Sequence, residues 1–189
     1  MKKIVLVALF IAGVFIHASG QKSGDPPVKR PFSERLVFGG SLGAQFGTNT
    51  QVNLSPIIGY RATEKLTTGI GITYIYYKYK YYTGYNQTIT EEDNIWGSSL
   101  WAEYRVIPQA FLHVEPGFLN LSVPKLDANG YYYGETKRDN IYQFLVGGGY
   151  YQAIGNNAGM QFSILWDLVD EMYSPYENPI IRIGFAAGF

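Results

Sequence analysis

Leu66-Thr67-Thr68-Gly69-Ile70-Gly71-Ile72-Thr73-Tyr74-Ile75-Tyr76-Tyr77 decides how the rest of the chain is read. Its even positions carry Leu66, Ile70, Ile72, Tyr74 and Tyr76, with Thr68 between them, while its odd positions begin Thr67, Gly69, Gly71, Thr73. A period of two belongs to a strand, because successive side chains leave opposite faces. Strands of soluble sandwiches run to about five or six residues. A tilted strand that crosses a bilayer needs about 9–11, and this run is that long.

The same pattern recurs outward in both directions, at Leu36–Phe46, Gln51–Arg61, Ile95–Arg105, Ala110–Leu119, Ile141–Tyr151, Ala158–Leu168 and Ile180–Phe189. One face of every segment is apolar and free of charge, for example Trp96, Ser98, Leu100, Ala102, Tyr104 in the fourth and Ile181, Ile183, Phe185, Ala187, Phe189 in the last. The opposite face holds Arg61, Glu103, Arg105, Glu115, Asp167 and Arg182, with Gln45, Asn53, Gln143, Gln161 and His113. Of the 14 glycines in these segments, 12 fall on that polar face, all but Gly40 and Gly148. On the wet face of a soluble sandwich such glycines would only weaken the strands. Inside a narrow closed barrel they have a cause, since the interior has little room for side chains. The expected fold is all-β, an eight-stranded antiparallel up-and-down transmembrane β-barrel.

Connections fit that fold. Ala62–Lys65, Val106–Gln109 and Ala153–Asn157 are short, whereas Lys78–Asn94, Asn120–Asn140 and Val169–Pro179 read as longer polar loops; Gly47–Thr50 is a short exception. Alternating short and long connections suit periplasmic turns and extracellular loops. Tyr60, Tyr104 and Tyr150 each face outward beside a short turn and read as an aromatic girdle at the inner interface.

Composition narrows the remaining classes. The chain has 189 residues with 15 basic and 15 acidic side chains, so it lacks the excess positive charge of a nucleic-acid binder. It has no cysteine, which excludes disulfides, thiol catalysis and Cys-ligated zinc. Met1-Lys2-Lys3, the apolar run Ile4–Ile16 and Ala18-Ser19-Gly20 read as a secretory signal peptide over residues 1–20. Residues 21–33 (QKSGDPPVKRPFS) read as a flexible periplasmic lead-in, and residues 34–189 as the barrel. An exported chain of this kind is expected in the outer membrane of a Gram-negative bacterium.

With the signal peptide, the eight alternating segments and the terminal Ile-Arg-Ile-Gly-Phe-Ala-Ala-Gly-Phe in hand, the chain resembles the small eight-stranded outer-membrane β-barrel proteins, the family of OmpX and the OmpA transmembrane domain. The resemblance covers Arg35 to Phe189. It implies that Ile181, Ile183, Phe185, Ala187 and Phe189 form the C-terminal signal read by the barrel-insertion machinery. Pro56 and Pro116 depart from the pattern. Each falls mid-strand, where it removes a ladder hydrogen bond and predicts a bulge or shifted register.

No residue pattern marks a catalytic, cofactor-binding or metal-binding site. Some barrels of this resemblance act on lipid A through a His and a Ser two apart. Here His113 is followed at that spacing by Glu115, and His113 is the only histidine beyond the leader. One histidine and no cysteine make a poor metal set. Glu91-Glu92-Asp93 lacks the spacing of a calcium loop, and Gly147-Gly148-Gly149 lacks the helix of a phosphate loop. Tyr79, Tyr81, Tyr82, Tyr85, Tyr131, Tyr132, Tyr133, Tyr173 and Tyr176 divide between the outer girdle and a surface for an extracellular protein or glycan. The expected protein is a monomer with a structural, envelope-integrity or surface-interaction role. A narrow porin-like channel and a lipid A-modifying enzyme are the alternatives.

Three placements follow from the register. Glu103 should lie opposite His113, with Arg105 and Glu115 one inward position away. Asp167 should face Arg182, if the Val169–Pro179 loop closes symmetrically. Lys78 and Lys80 continue the outward parity; Lys78 stands about 28 Å above Leu66, past an apolar band about 25 Å tall, within reach of lipopolysaccharide phosphates.

Overall fold

The computed structural model describes residues 31–45, 49–83, 87–126, 132–154 and 158–188. The signal peptide, most of the lead-in and Phe189 lie outside the described residues. A 3-10 turn at Phe32–Arg35 precedes eight strands: β1 (Leu36–Gln45), β2 (Asn49–Arg61), β3 (Leu66–Thr83), β4 (Gln87–Ile107), β5 (Ala110–Leu126), β6 (Tyr132–Ala153), β7 (Ala158–Asp167) and β8 (Ile180–Ala187). Each pairs antiparallel with its chain neighbours, and β1 also pairs with β8, from Phe38↔Ala187 to Ser41↔Gly184. The sheet is therefore closed, and its spanning part exposes no open edge whose N–H and C=O groups would lack partners in lipid.

The end of the lead-in, Phe32 and Ser33, opens that 3-10 turn. Phe32 stacks on Tyr60 with ring centroids 5.3 Å apart, and Arg35 donates to the Tyr60 hydroxyl at 2.8 Å. These contacts seat the 3-10 turn on the barrel at the end that carries the short turns.

Two of the expected polar loops are strand. β3 and β4 keep pairing through Lys78↔Glu92 and Tyr82↔Thr88 to Thr83↔Gln87, and β5 and β6 through Asn120↔Asn140 to Leu126↔Tyr132. Tyrosine, threonine and isoleucine favour strands whatever their polarity. Opposed charges on facing strands add support: Lys78 with Glu92, and Lys125 with Glu135 at 2.9 Å. The wall is consequently uneven. β3, β4, β5 and β6 have 18, 21, 17 and 22 residues, whereas β1, β7 and β8 have 10, 10 and 8.

Neither mid-strand proline shifts the register. β2–β3 pairing stops at Leu54↔Tyr74 and resumes at Ile57↔Gly71 on the same alignment, and β4–β5 does the same around Pro116. Each proline lacks one ladder donor, so the ladder has a local gap while the turns and flanking pairs hold the alignment. The irregularities sit instead at Arg105/Ile107, beside a short turn, and at Pro124/Leu126 in the projecting hairpin.

Candidate functional site

The inner parity gathers charged strand residues in the barrel interior. Glu103 of β4 pairs directly with His113 of β5, and Glu115 follows two residues later on the same face. His113 Nδ1 lies 3.1 Å from Glu103 Oε1, and Nε2 lies 3.0 Å from Glu115 Oε2. Arg182 reaches across from β8 to donate to Glu115 at 2.5 Å, and Gln161 of β7 donates to the other Glu103 oxygen at 3.1 Å. An imidazole so placed donates at both nitrogens only as imidazolium. An imidazolium at His113, with Arg182, would balance carboxylates at Glu103 and Glu115, the condition under which buried charges are tolerated. Trp101 lies parallel to the His113 ring, centroids 6.4 Å apart.

Glycine makes room for this set. A Cβ on Gly59 would stand 2.6 Å from the Trp101 ring, and one on Gly69 2.8 Å from it. The glycine excess of the inner face thus accommodates one large buried indole, more than the few polar groups that parity alone suggested. Phe111 is buried likewise, with its ring 2.5 Å from a Cβ placed on Gly149.

Beside the charged set is a cavity of about 50 Å³, bordered by Ser41, Ser55, Thr73, Ser99 and Ser163. At ~10–15 Å³ per water, it suits a few water molecules and is far too small for an acyl chain or a sugar. Below it, at the turn end, Arg61 donates to the Gly188 carbonyl at 2.6 Å, and the Arg105 guanidinium sits 5.1 Å from the Tyr151 ring centre. Arg105 therefore belongs to this floor. Its register partner is Phe111, and Glu115 lies the other way along β5.

Above the cavity, the same inner rows become apolar. β5 runs His113, Glu115, Gly117, Leu119, Leu121, Val123. Leu119, Leu121 and Val123 pack with Ile75, Ile95 and Ile141, while Leu145, Leu165 and Ile180 form a second cluster. Tyr176, from the β7–β8 loop, packs against both clusters, and its hydroxyl accepts from Asn53 at 3.1 Å. Inner-parity Ile75, Ile95 and Leu119 were the available signal for this layer. Tyr176 carried none, and it lies inside the barrel instead of on a recognition surface.

The expected Asp167–Arg182 pair does not form. Arg182 pairs in register with Ser163, and β7–β8 pairing ends at Leu165↔Ile180. Asp167 is tied to Asn178 instead: its N–H donates to Asn178 Oδ1 at 2.7 Å, and Asn178 Nδ2 donates to its carbonyl at 3.1 Å. The Asp167 carboxylate accepts from the Phe144 and Val169 N–H groups at 3.0 and 3.1 Å. The loop closes asymmetrically, which moves Asp167 away from Arg182.

The outward face is the reverse of the interior. Phe38, Leu42, Leu54, Ile58, Ile70, Ile72, Leu100, Leu112, Phe118, Ile164, Ile183 and Phe185 are all exposed on it. On the hairpin side, Tyr74 and Trp96 touch at 4.4 Å, and the outward rows then turn to Asn94, Asn120 and Asn140. On the turn side stand Tyr60, Tyr104 and Tyr150. A continuous apolar band of this extent, rimmed by aromatics, is a lipid-facing surface. The chain is a closed eight-stranded antiparallel up-and-down β-barrel with the lipid-facing belt of a transmembrane barrel.

No protein-family model matches the barrel, and no curated protein matches it. Among solved structures it is similar to the N-terminal β-barrel domain of Pseudomonas aeruginosa OprF, at 14% identity and a TM-score of 0.44, over 80% of this chain and 94% of that one. It is also similar to the Yersinia pestis outer membrane protein Ail in a phospholipid bilayer nanodisc, at 9% identity and 0.46, over 80% and 96%. A de novo designed transmembrane β-barrel matches at 13% identity and 0.41, over 80% and 92%.

Chemically, the barrel engages its histidine fully: both His113 nitrogens face carboxylates, so neither is turned toward a serine hydroxyl. Among the described residues no set of three His, Asp or Glu is placed to hold a metal ion. The acidic run is engaged where it is described. Glu92 pairs with Lys78, while Asp93 accepts from the Ser122 N–H at 2.8 Å and from Arg138 at 2.9 Å. Those Asp93 contacts tie the β3–β4 and β5–β6 hairpins together beyond Trp96↔Asn120, where β4–β5 pairing ends. The side chains of Lys80, Glu91 and the other loop tyrosines except Tyr173 lie outside the described residues.

Proposed function

We propose that this protein is a monomeric, integral outer-membrane protein of a Gram-negative envelope. Its role is structural, in envelope integrity, or interactive, through the projecting hairpins. Residues 1–20 are a signal peptide removed on export, the short turns face the periplasm, and the hairpins face outward. The insertion machinery reads the C-terminal strand from Ile181 to Phe189. The observation that carries this reading is the pairing of a lipid-facing belt with a filled lumen. Such a barrel presents surfaces to lipid and to the outside but offers no path through itself.

The fully engaged His113 supports a non-enzymatic role over lipid A chemistry, and the apolar layer around Tyr176 supports a closed barrel over a porin-like channel. For lipopolysaccharide, Lys78 is the proposed contact, and a lipid phosphate would compete there with Glu92. A protein or glycan ligand would meet the hairpin tips. The test is fractionation of expressing cells combined with gel mobility. Carbonate-resistant recovery with outer-membrane markers and heat-modifiable migration are expected, and recovery in the soluble periplasm would overturn the reading. A pull-down from intact cells then identifies any surface partner.

A further inference from the structure

The short sector of the wall does not reach as far as the tall one. β8 has eight residues, Ile180–Ala187. At about 3.4 Å per residue and ~45° tilt it rises about 19 Å, short of an apolar band about 25 Å tall. β4, with 21 residues, rises far beyond that band. Something must complete the lipid-facing surface above Ile181, because headgroups or water would otherwise meet an apolar rim.

The β7–β8 loop carries suitable groups. Leu168 continues the outward row of Ile164 and Trp166 and is 59% exposed, Val169 is 43% exposed, and Met172 is 87% exposed. Ser174 N–H donates to the Glu171 carbonyl at 2.9 Å, so Met172 and Tyr173 occupy the corner of a turn. Further along the loop, Tyr176 is anchored inside the barrel and Asn178 bonds Asp167, which tethers the segment to the barrel at both points. Leu168 carries the lipid-facing row into this loop, and exposed apolar groups at the border of such a belt favour burial in lipid over water.

We infer that Leu168, Val169 and Met172 insert into the outer leaflet, so that the β7–β8 loop is a lipid-binding apron completing the belt above β7 and β8. Asp170 and Glu171 are exposed and stay at headgroup level, which limits insertion to the apolar tip. The inference rests on the transmembrane reading and adds a lipid contact to a loop that sequence polarity assigns to water.

The absence of native cysteine permits single-site nitroxide labelling of the full chain. Met172→Cys, Ile164→Cys in the belt and Thr136→Cys in the β6 projection would each be labelled and refolded into phosphatidylcholine vesicles. Accessibility to oxygen is then compared with accessibility to a water-soluble nickel chelate. The Met172 label is expected to be shifted toward oxygen, near the Ile164 label and away from the Thr136 label. A Met172 label as open to nickel as Thr136, with Ile164 still lipidic, overturns the apron and leaves the barrel reading intact. If Ile164 is also open to nickel, both fall. Because Met172 is almost fully exposed, its replacement leaves packing intact, and heat-modifiable migration of each labelled variant verifies folding.

Discussion

The two halves of the lumen are built on opposite principles within single strands. Toward the turns, Glu103, His113, Glu115, Gln161 and Arg182 form one connected polar set, in which each group satisfies another. Toward the hairpins, Ile75, Ile95, Leu119, Leu121, Val123 and Ile141 touch only as apolar surfaces. Loss of one partner in the first half leaves a buried charge exposed to low dielectric, so its energies are coupled. Loss of one side chain in the second half leaves a cavity, and the cost stays local. The polar half should be brittle and the apolar half tolerant.

Substitutions can break that contrast, beginning where the effect is largest. Trp101→Ala empties the space that Gly59 and Gly69 leave, and should cost about 3–5 kcal/mol in equilibrium unfolding. Arg182→Met comes next, at about 3 kcal/mol, the lower end for a broken buried pair because the guanidinium also borders the cavity. A double-mutant cycle of Arg182→Met with Glu115→Gln should show clear coupling, and one with Asp167→Asn none. Coupling to Asp167 instead would restore the symmetric loop. Leu119→Ala should lower stability by about 2–3 kcal/mol and add to Arg182→Met within roughly 0.5 kcal/mol, since Leu119 packs in the apolar cluster while Arg182 bonds Glu115 in the polar set.

Smaller changes sharpen the boundary of the filled region. Tyr176→Phe removes only the hydrogen bond from Asn53 and should cost about 0.5–1.5 kcal/mol, with packing retained. On the exposed part of β6, Lys137 lies 2.8 Å from Asp139 and holds its carboxyl below the usual carboxylate range. A depressed carboxyl adds stability above its unfolded value and loses it as pH falls through the folded one. At this open site the consequence should be spectroscopic: in Lys137→Gln, an NMR titration of Asp139 moves back up, while the unfolding midpoint stays in place.

Parity was legible because lipid and lumen make opposite demands on alternate residues, so the charges sort onto one face in the sequence itself. The Glu103–His113 contact was legible because Val106–Gln109 is too short to allow another alignment. Arg182 was misassigned because the longer β7–β8 loop carries no register information of its own; the Asp167–Asn178 bonds that set its closure are tertiary. The hairpins were hidden because Lys78, Glu92 and their neighbours are polar, although tyrosine and threonine among them favour strand. The apolar lumen layer was hidden for a related reason. Ile75, Ile95 and Leu119 occupy a parity that the charged residues nearer the turns had marked as polar.

Whether these two stacked layers leave a path through the barrel is read by single-channel recording. Refolded protein inserted in a planar bilayer should give no steady conductance steps in symmetric potassium chloride, with insertion verified by heat-modifiable migration of the same preparation. Reproducible steps of fixed size that scale with salt concentration would contradict a closed barrel: the apolar layer around Tyr176 would then not close the lumen.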